Sequence, residues 1–572
     1  MLFVDFRQHV LAVVKNVLAD KGLVEADFAA VNLEAPKEEA HGDLATNAAM
    51  VLAKKVGMAP RALAEMLVDG LKAHDAVESV EIAGPGFINF KLKTSALVKE
   101  GIVAVKAGGD YGTLVSSDPR KALVEYVSIN PTGPIHIGHG RNAVFGDAIA
   151  NVLEKAGYPV WREYLVNDAG GQIRVLVKSL HARYLQLFGH DVAVPENGYP
   201  GEYLIEIAEK LKEQDGDKWV NVADEEALLR DLREFAVDAC LNLIKTDIDL
   251  MGIQFDRYFS EFEMHQTDRM AEVVKILREK GLIYEGTLPP PKGKEVADYK
   301  PVELTLFKAT EFGLPEDQAV YNRAGIPTYF GQDIAYHYDK LQRGFELLVT
   351  VIGADQSGAF KPLAKAIEAL TGRKDVYNPV AYEMVKVLRD GQPVKLSKRA
   401  GNIVLLSEVL EEVGSDAFRF TMLTVKPTTP LTFDLAHAVA KTMDNPVFYS
   451  QYAHARLCAV ERQRVELGIT PVEVDFLDVD KVELSADARS VLREVMLYPA
   501  LVEQTARALE PHRLTFYAQT LAAAIHRWYA SEKWLDAANV KATHSRLAVA
   551  FAARTVLADV LKLCGVNAPA SM

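Results

Sequence analysis

The sequence predicts a multidomain α/β protein built on a doubly wound parallel sheet, with an N-terminal α+β domain and a C-terminal all-α bundle. Three observations predict this fold class. Residues 1 to about 110 combine helical periodicity with one strand-like segment, residues 121–168 follow a strand–helix–strand pattern, and the chain from about Asp444 onward is almost wholly helical in pattern. A chain of 572 residues is also too long for one hydrophobic core.

The predicted domains are 1–114 (α+β), 115–440 (the sheet domain) and 441–572 (the helical bundle). Within the sheet domain, the polar, charge-rich stretch at about 172–300 has long helical segments and predicts an insertion. Strand and helix signals return in IPTYF, DIAYHYDKLQ, FELLVTVIG, GAFKPLAKAIEAL and PVAYEMVKVL. These segments would complete the sheet.

The start of the sheet domain predicts a βαβ unit of Rossmann type. ALVEYVSI has the pattern of a buried strand, NPTGPIH of a loop, GHGRNAVFGDAIANVLEKAG of a helix and VWREYLVND of a second strand. In the helix, the apolar residues from Val144 to Leu153 fall on one face, and Gly157 and Pro159 mark its end. Two strands joined in this way are parallel.

Composition is typical of a folded protein outside membranes. The chain has 64 Lys and Arg against 78 Asp and Glu, so its formal net charge of -14 argues against indiscriminate nucleic-acid binding but allows a local basic face. The three cysteines lie far apart without metal-ligand spacing, so we expect neither disulfides nor a protein metal site. Asp5, Arg7 and His9 interrupt the apolar run that a signal peptide needs, which predicts a cytoplasmic protein.

The main candidate site is the segment from Asn130 through His136, Gly138 and His139, where the first strand of the βαβ unit meets its helix. Backbone N–H groups at a helix N-terminus bind anions, and the missing side chain at Gly138 lets a base or ribose approach. Two imidazoles beside this glycine can donate hydrogen bonds to phosphate oxygens as charge develops. The segment predicts a nucleotide site, the alternative being two solvent-facing loop histidines.

A second basic motif, VKLSKRAG with Lys395, Ser397 and Lys398, follows about 260 residues later. Lysines on a glycine-punctuated loop suit a clamp that neutralises triphosphate charge, most strongly as pyrophosphate begins to leave. Alone, this motif is more typical of a solvated basic turn. Its position after the histidine motif favours the nucleotide interpretation.

Together the two motifs resemble those of the class I aminoacyl-tRNA synthetases, and the surrounding segments resemble the arginyl-tRNA synthetase family of bacterial type. The segments that carry the resemblance are GDLATN, VEYVSINPTGPIHIGHGRN, VNDAGGQI, TYFGQDIAY, VIGADQ, VKLSKRAG, NPVFYSQYAHAR and the terminal Met572. Several bacterial members look degenerate in the lysine loop, whereas this chain keeps Lys395 and Lys398.

The resemblance implies a ligase that uses Mg²⁺ and ATP to convert L-arginine to arginyl-adenylate, and then transfers the arginyl group to the 3′-terminal ribose of tRNA-Arg. It implies catalytic roles for His136, His139, Lys395 and Lys398, with Gly138 and Ser397 also binding ATP. No protein nucleophile is required, because positioning and charge stabilisation carry the reaction. We expect the enzyme to be a monomer. The family often needs bound tRNA before it activates its amino acid.

By the same resemblance, five residues would surround arginine: Glu125, Asn130, Tyr329, Asp333 and Gln356. A guanidinium has five donors in a planar fork, which carboxylates match in bidentate geometry. We expect the acids to contact the fork, and Asn130 and Gln356 to contact the α-amino end or the pocket wall. The alternatives are a dipole-stabilised helix-terminal charge at Asp333 and, for Glu125, a role as the partner of a buried arginine. Lysine would leave desolvated acceptors unpaired.

Two further groups of residues have open interpretations. Asn167, Asp168 and Gln172 follow the second strand, where they could touch substrate, ribose or the tRNA end, or stabilise a turn. In the C-terminal region, aromatic and basic residues interleave as stacking on anticodon bases requires, and Tyr529 is the preferred candidate, although helical core is the commoner meaning of such aromatics. The resemblance would set the N-terminal domain against the corner of the tRNA.

Three other functions remain as alternatives. A different class I synthetase is disfavoured by the absence of cysteine ligands and by the acid pair in the predicted pocket. A small-molecule nucleotidylyltransferase would leave the lysine loop, the N-terminal domain and the bundle unexplained. A non-catalytic tRNA-binding paralogue should have lost the histidines or lysines, which are intact.

Overall fold

The computed structural model of the protein describes residues 1–36, 38–115, 120–222, 224–289, 302–394 and 404–572. The predicted Lys395, Ser397 and Lys398 lie outside these residues. No helix in the described part of the chain is both long and apolar enough to cross a membrane.

The N-terminal region is an α+β unit in which helices cover an antiparallel sheet of strand order β1-β2-β4-β3. Its elements are α1 (Leu2–Val17), α2 (Glu25–Phe28), β1 (Leu33–Glu34), β2 (Leu44–Thr46), α3 (Ala48–Val56), α4 (Pro60–Lys72), β3 (Val77–Ala83), β4 (Phe87–Leu92) and α5 (Thr94–Ala107). The strand-like segment of the sequence forms the β3–β4 hairpin, and Phe6 of α1 meets Phe90 of β4 edge to face in the core between helix and sheet.

The central region contains a parallel sheet whose strand order, over the described residues, is β12-β11-β5-β6-β7. Its first elements are β5 (Ala122–Glu125), α6 (Ile137–Lys155), β6 (Val160–Val166), α7 (Gly171–Gln186), α8 (Tyr203–Asp215), α9 (Glu225–Leu250), β7 (Arg257–Ser260), α10 (Glu261–Met264) and α11 (Arg269–Glu279). The strand order reverses at β5. The next strand of the sheet in sequence, β6, pairs with one edge of β5, and the later strand β11 pairs with its other edge. Ligands in such folds bind at this switch point, beyond the carboxyl ends of the strands.

The rest of the central region completes the sheet and adds two small ones. Its elements are β8 (Ile283–Gly286), β9 (Leu304–Phe307), β10 (Gln318–Tyr321), α12 (Tyr329–Gln342), β11 (Leu347–Gly353), α13 (Ser357–Thr371), β12 (Tyr377–Tyr382), β13 (Val385–Arg389), β14 (Gln392–Pro393), α14 (Leu406–Val413), α15 (Ser415–Met422), β15 (Leu431–Asp434) and α16 (Leu435–Val439). Strands β8, β9 and β10 form an antiparallel sheet, and β13 pairs with β14 and β15.

The C-terminal region is helical, with α17 (Pro446–Glu466), α18 (Ala486–Ala508), α19 (His512–Ser531) and α20 (Val540–Leu563). The fully buried Trp528 stacks on Trp534 inside this bundle, with ring centroids 3.8 Å apart. The predicted fold class, a doubly wound parallel sheet between an α+β region and a helical bundle, is confirmed.

One local expectation differs from the structure. The stretch at 172–300 is not one insertion, because β7 lies inside it and pairs in parallel with β6 from Glu163↔Arg257 to Val166↔Ser260. The segment IPTYF leads into a helix: Thr328 caps α12 by accepting a hydrogen bond from the Gly331 N–H, so Tyr329 is the first residue of that helix. A threonine N-cap satisfies one of the free N–H groups of the first helical turn.

Candidate active site

The loop that carries the two histidines begins with a strained turn. After β5 ends at Glu125, Val127 and Ser128 take positive φ values of 65° and 41°. A β-branched residue in this region is a genuine outlier, and such strain persists only where the surroundings impose it. The Val127 N–H donates to the Asn142 side-chain oxygen at 2.6 Å, and Asn142 in turn donates to the Val351 carbonyl at 2.9 Å. The turn is therefore held between α6 and β11.

His136 and His139 lie together at the N-terminus of α6, with ring centroids 3.6 Å apart and nearly parallel planes. The Nδ1 atom of His136 accepts from the Gly138 N–H at 3.1 Å, and the Nδ1 atom of His139 accepts from the His136 N–H at 3.4 Å. Each ring then carries its proton on Nε2, for which the described residues offer no acceptor. Two imidazole N–H donors are thus available to a ligand.

Both imidazoles are neutral at pH 7. Burial lowers the pKa of His136, and burial together with the neighbouring His136 lowers the pKa of His139 to about 3. A Cβ atom at Gly138 would lie 3.0 Å from the His136 ring, so this position needs glycine for the ring to keep its place. The site can therefore donate hydrogen bonds to phosphate oxygens without adding a positive charge.

The histidine loop is braced on both sides. His136 forms an antiparallel bridge with Leu405, in which the Ile137 N–H donates to the Val404 carbonyl and the Leu406 N–H to the Ile135 carbonyl. From α8, the Tyr203 hydroxyl donates to the Thr132 carbonyl at 2.5 Å. Residues 404–406, which follow the VKLSKRAG motif in the sequence, therefore contact the histidine loop.

A cavity of about 1210 Å³ opens beside this loop, between the carboxyl ends of β6 and β7 and the start of α12. It brings together three of the five predicted arginine-binding residues, namely Asn130, Tyr329 and Asp333. Tyr329 is 88% exposed at the rim, whereas Asp333 is half-buried. Asn130 belongs to the loop that leads from β5 to the histidines, so the cavity borders this loop, although His136, Gly138 and His139 do not line it.

Asp333 is held in an environment that disfavours its charge. Burial and, to a smaller extent, the negative charges of Glu125 and Glu261 together raise the pKa of Asp333 to about 7, although Lys340 acts in the opposite direction. A cation placed against this carboxylate would relieve both the desolvation and the repulsion. Perturbed carboxyls in a cleft are candidates for functional groups.

The other two predicted arginine-binding residues lie elsewhere. Glu125 is 5% exposed at the end of β5 and does not line the cavity; its Oε2 atom accepts from the Lys340 ammonium at 2.5 Å. Its partner is a buried lysine rather than the buried arginine considered from the sequence. Gln356 is exposed in the short turn that follows β11 and also lies outside the cavity.

The residues that follow β6 divide between the cavity and a structural turn. Gln172 and Asn167 line the cavity, and Asn130 donates to the Gln172 side-chain oxygen at 2.5 Å. Asp168 is buried and accepts hydrogen bonds from the Ser260 hydroxyl at 2.7 Å and the Phe262 N–H at 2.8 Å. Asp168 therefore stabilises a turn, one of the two roles that its position in the sequence allowed.

Sequence reasoning missed two residues of this region. Lys340, with no exposed side-chain surface, lies seven residues after Asp333 on α12, and this helical spacing was the available signal. Glu261 lines the cavity as the first residue after β7, and its signal was too weak because β7 is only four residues long.

The aromatic residue predicted to bind tRNA lies in a cluster between α17 and α19. Tyr529 is partly buried, meets Trp534 edge to face at 5.2 Å, and has the Arg456 guanidinium 4.3 Å above its ring. The same guanidinium lies 4.7 Å from the Tyr452 ring. The cluster combines π faces with positive charge, as stacking on nucleic-acid bases requires.

Family profiles match nearly the whole chain. They are the arginyl tRNA synthetase N terminal domain at residues 7–92, the class I (R) tRNA synthetase catalytic domain at 104–443 and the DALR anticodon binding domain at 450–572. Among curated proteins, an arginine–tRNA ligase of Magnetococcus marinus is 44% identical over 98% of both chains. One from Ruegeria pomeroyi is 42% identical over 99% of both.

Solved structures agree in fold. A putative arginyl-tRNA synthetase from Campylobacter jejuni is 31% identical with a TM-score of 0.72, covering 84% of this chain and 100% of its own. The arginyl-tRNA synthetase of Thermus thermophilus, 21% identical, has a TM-score of 0.75 over 98% of this chain and 99% of its own. Since the profiles and the full-length relatives agree, the chain belongs to the arginyl-tRNA synthetase family of class I aminoacyl-tRNA synthetases.

Proposed function

We propose that the protein activates L-arginine with Mg·ATP and transfers the arginyl group to the 3′-terminal ribose of tRNA-Arg, and that Asp333 is the main carboxylate for the guanidinium. The observation that carries this assignment is the poorly solvated Asp333 carboxylate in a cavity that Asn130, from the loop before the histidines, also lines. The cavity is larger than the roughly 300–1,000 Å³ of a usual small-molecule site, so an amino acid fits beside a second substrate.

In the first step, an oxygen of the arginine carboxylate attacks the α-phosphorus of ATP. A phosphorus–oxygen bond forms and the bond to pyrophosphate breaks, giving arginyl-adenylate. The Nε2 protons of His136 and His139 donate to phosphate oxygens as charge develops, from positions fixed by their Nδ1 bonds. Lys395 and Lys398 neutralise the leaving pyrophosphate, with Ser397 on the same loop and Gly138 beneath the nucleotide.

In the second step, a ribose hydroxyl at the 3′ end of the tRNA attacks the carbonyl carbon of arginyl-adenylate and AMP leaves. No side chain of the enzyme forms a covalent bond in either step. Mg²⁺ enters with ATP as part of the substrate, since this ion is usually bound through substrate phosphates and water rather than by an all-protein cage.

Asn130 and Gln172 form a polar wall next to the reacting end of arginine. Their 2.5 Å hydrogen bond leaves Asn130 Oδ1 and a second lone pair on Gln172 Oε1 to accept from the α-ammonium group. Tyr329 at the rim covers the aliphatic part of the substrate. Glu125 and Gln356, outside the cavity, act through their neighbours: Glu125 by holding Lys340 under Asp333, and Gln356 by shaping the turn after β11.

Arginine-dependent ATP–pyrophosphate exchange, with matched tRNA present, tests this function. Asp333→Asn should abolish exchange with arginine and leave ATP affinity nearly unchanged, because the substitution removes the charge that pairs with the guanidinium. Glu279→Gln, which alters one exposed charge on α11, serves as the control. No exchange by the wild type with arginine, equal exchange with lysine, or an equal loss of ATP binding in Asp333→Asn would contradict the assignment.

The aromatic cluster at Tyr529 is proposed to stack on anticodon bases, with Arg456 supplying positive charge. Tyr529→Ala should raise KM for tRNA-Arg in aminoacylation by about 5- to 100-fold, since base stacking contributes about 1–3 kcal/mol per base. Tyr529→Phe keeps the ring and should resemble the wild type. An unchanged KM in Tyr529→Ala would assign Tyr529 to the packing of the bundle instead.

The protein is further proposed to act as a cytoplasmic monomer. The buried, unpaired thiols of Cys240 and Cys564 support a reducing compartment. Sedimentation analysis checks the oligomeric state, and a mass near 63.0 kDa is expected.

A further inference from the structure

A separate cavity, of about 430 Å³, lies at the amino ends of the parallel strands. Lys121 directly precedes β5, Trp161 is the second residue of β6 and Arg257 is the first residue of β7, and all three line this cavity. The candidate active site lies beyond the carboxyl ends of the same strands. Because β6 is seven residues long, about 20 Å of sheet separates the two cavities.

The charged side chains that line this cavity, among the described residues, are all basic: Lys121, Arg257 and Arg343. The whole chain has a formal net charge of -14, so such a lining is a local departure from its overall charge. The Arg343 guanidinium is already paired with Glu163 and Asp339. Lys121 and Arg257 are both exposed, and neither has a carboxylate partner in the described part of the chain. Their two charges are therefore available to an anion.

Two aromatic rings form the apolar part of the cavity. Trp161 is 37% exposed, whereas the other three tryptophans of the chain are at most 6% exposed, namely Trp219, Trp528 and Trp534. Phe345, which lies just before β11, is buried, and its ring centroid is 6.2 Å from that of Trp161 with the planes inclined by 50°. The indole thus packs on a buried ring, while part of its surface remains open to a ligand.

The register of the sheet places Trp161 between the two available cations. Trp161 pairs with Leu123 on β5, two residues after Lys121. It also lies two residues before Glu163, which pairs with Arg257 on β7. Since side chains alternate along a strand and paired residues share a face, Lys121, Trp161 and Arg257 project from the same face of the sheet. Each cation starts about 8 Å from Trp161, within reach of a long side chain.

We propose that this cavity is a second ligand site, which binds a nucleoside diphosphate with its base on Trp161 and its phosphates on Lys121 and Arg257. Stacking on an aromatic ring accepts any base, and phosphate oxygens match both a guanidinium fork and an ammonium. The Arg257 guanidinium is held 4.7 Å from the Phe259 ring. The volume falls within the roughly 300–1,000 Å³ of small-molecule sites. This inference does not depend on the proposed function.

Intrinsic fluorescence tests the site, with guanosine diphosphate (GDP) as the probe. Because Trp161 is the most exposed tryptophan, a base stacked on it should quench the emission, and Trp161→Phe should lose this signal. Pyrophosphate, which lacks the base, and guanosine, which lacks the phosphates, should each compete at least about 5-fold more weakly than GDP itself. Competition by either compound as strong as that of GDP would overturn the proposal of a nucleotide site.

Calorimetric titration with GDP measures the contribution of each side chain. Lys121→Gln and Arg257→Gln should each raise Kd by about 10-fold or more, as expected for losing a charge-assisted hydrogen bond. Trp161→Ala should raise Kd by about 5- to 100-fold through lost stacking. Lys210→Gln, which removes an exposed charge on α8, should match the wild type. A Kd that neither charge variant changes would place GDP elsewhere, and the absence of binding at millimolar GDP would equally overturn the proposal.

Failure of this inference can be told from failure of the proposed function. If the wild type exchanges with arginine but does not bind GDP at Trp161, only the inference fails. If the wild type binds GDP there and does not exchange with arginine, the inference stands and the proposed function fails. Matching circular dichroism and thermal midpoints of the variants exclude unfolding as the cause of weaker binding.

Discussion

Asp333 couples substrate binding to protonation. Because burial and the charges of Glu125 and Glu261 raise the pKa of Asp333 to about 7, the free enzyme increasingly carries a proton on this carboxyl as pH falls below 7 and loses it as pH rises above 7. A bound guanidinium favours the ionised form and so lowers this pKa. Arginine binding should therefore release a proton, most strongly below pH 7.

Calorimetry in buffers of different ionisation enthalpy measures this release. We expect most of a proton to be released at pH 6.5 and little at pH 8, and tighter arginine binding as pH rises through 7. L-Citrulline, which is neutral in its side chain, should release none. Proton release that does not depend on pH, or proton uptake at pH 6.5, would show that Asp333 is not the acceptor.

We expect Lys340 to contribute to the stability of the fold as well as to the charge balance around Asp333. Its ammonium is fully buried and bonded to Glu125, so Lys340→Met leaves a buried carboxylate without its counter-ion. Breaking such a pair typically costs about 3–5 kcal/mol, and replacing both partners costs much less. Urea unfolding should show a large loss for Lys340→Met and partial recovery in the double variant with Glu125→Gln. If Lys340→Met alone were as stable as the wild type, this explanation would be contradicted.

At the scale of elements, the contact of α6 with β5 sets the position of both histidines. Gly146 lies in the middle of α6, where a Cβ atom would lie 2.1 Å from the Cγ atom of the buried Tyr126 ring. Alanine is the better helix former, by up to about 1 kcal/mol, but the ring cannot move aside in a packed core.

Helix propensity and packing against Tyr126 can be separated by comparing alanine substitutions at two helical glycines. Gly146→Ala should destabilise by about 1–3 kcal/mol or more through overpacking. Gly358→Ala, on α13 with no atom near its added methyl group, should be neutral or stabilise by up to about 1 kcal/mol. Urea midpoints of the two variants that shift in the same direction would refute the packing argument.

The elements also show how far the sequence could predict this protein. Long periodic segments such as α6 and the run that forms β11 were predictable, because their patterns extend over several turns or residues. The four residues of β7 offer too little pattern, and its pairing with β6 bridges more than 90 residues. The predicted site divides in the same way: the histidine motif is local, whereas Glu125 meets Lys340 across 215 positions, which no local pattern predicts.

At the scale of the whole molecule, Arg419 joins three parts of the chain. Its buried guanidinium donates to the Cys564 carbonyl after α20 at 3.0 Å and to the Met251 carbonyl after α9 at 2.9 Å, and it pairs with Asp147 on α6. A Cβ atom at Gly565 would collide with it, so the end of the bundle is fitted around this side chain. The catalytic region and the bundle therefore meet at a charged, fully packed contact.

Arg419→Met should loosen this contact, because it leaves Asp147 and two carbonyl groups without their donors. In scanning calorimetry, we expect the transitions of the bundle and the catalytic region to move apart relative to the wild type. Arg507→Met, an exposed substitution on α18, is the control. A thermogram that merely shifts to lower temperature without any change in shape would argue that Arg419 stabilises one region alone.

The buried ion pairs of the central sheet have a consequence for how such a protein can change over evolutionary time. Glu125 and Glu163 occupy facing positions on β5 and β6; Glu125 pairs with Lys340 of α12, and Glu163 pairs with Arg343, the residue directly after α12. Arg343 also pairs with Asp339, and Glu163 also accepts from the Tyr336 hydroxyl, so that pair has substitutes. A single substitution of Glu125 or Lys340 instead leaves a buried charge without its counter-ion, at a cost of about 3–5 kcal/mol against a total stability of about 5–15 kcal/mol. Changing this pair one residue at a time is therefore strongly disfavoured, and among homologous chains Glu125 and Lys340 should be kept or lost together.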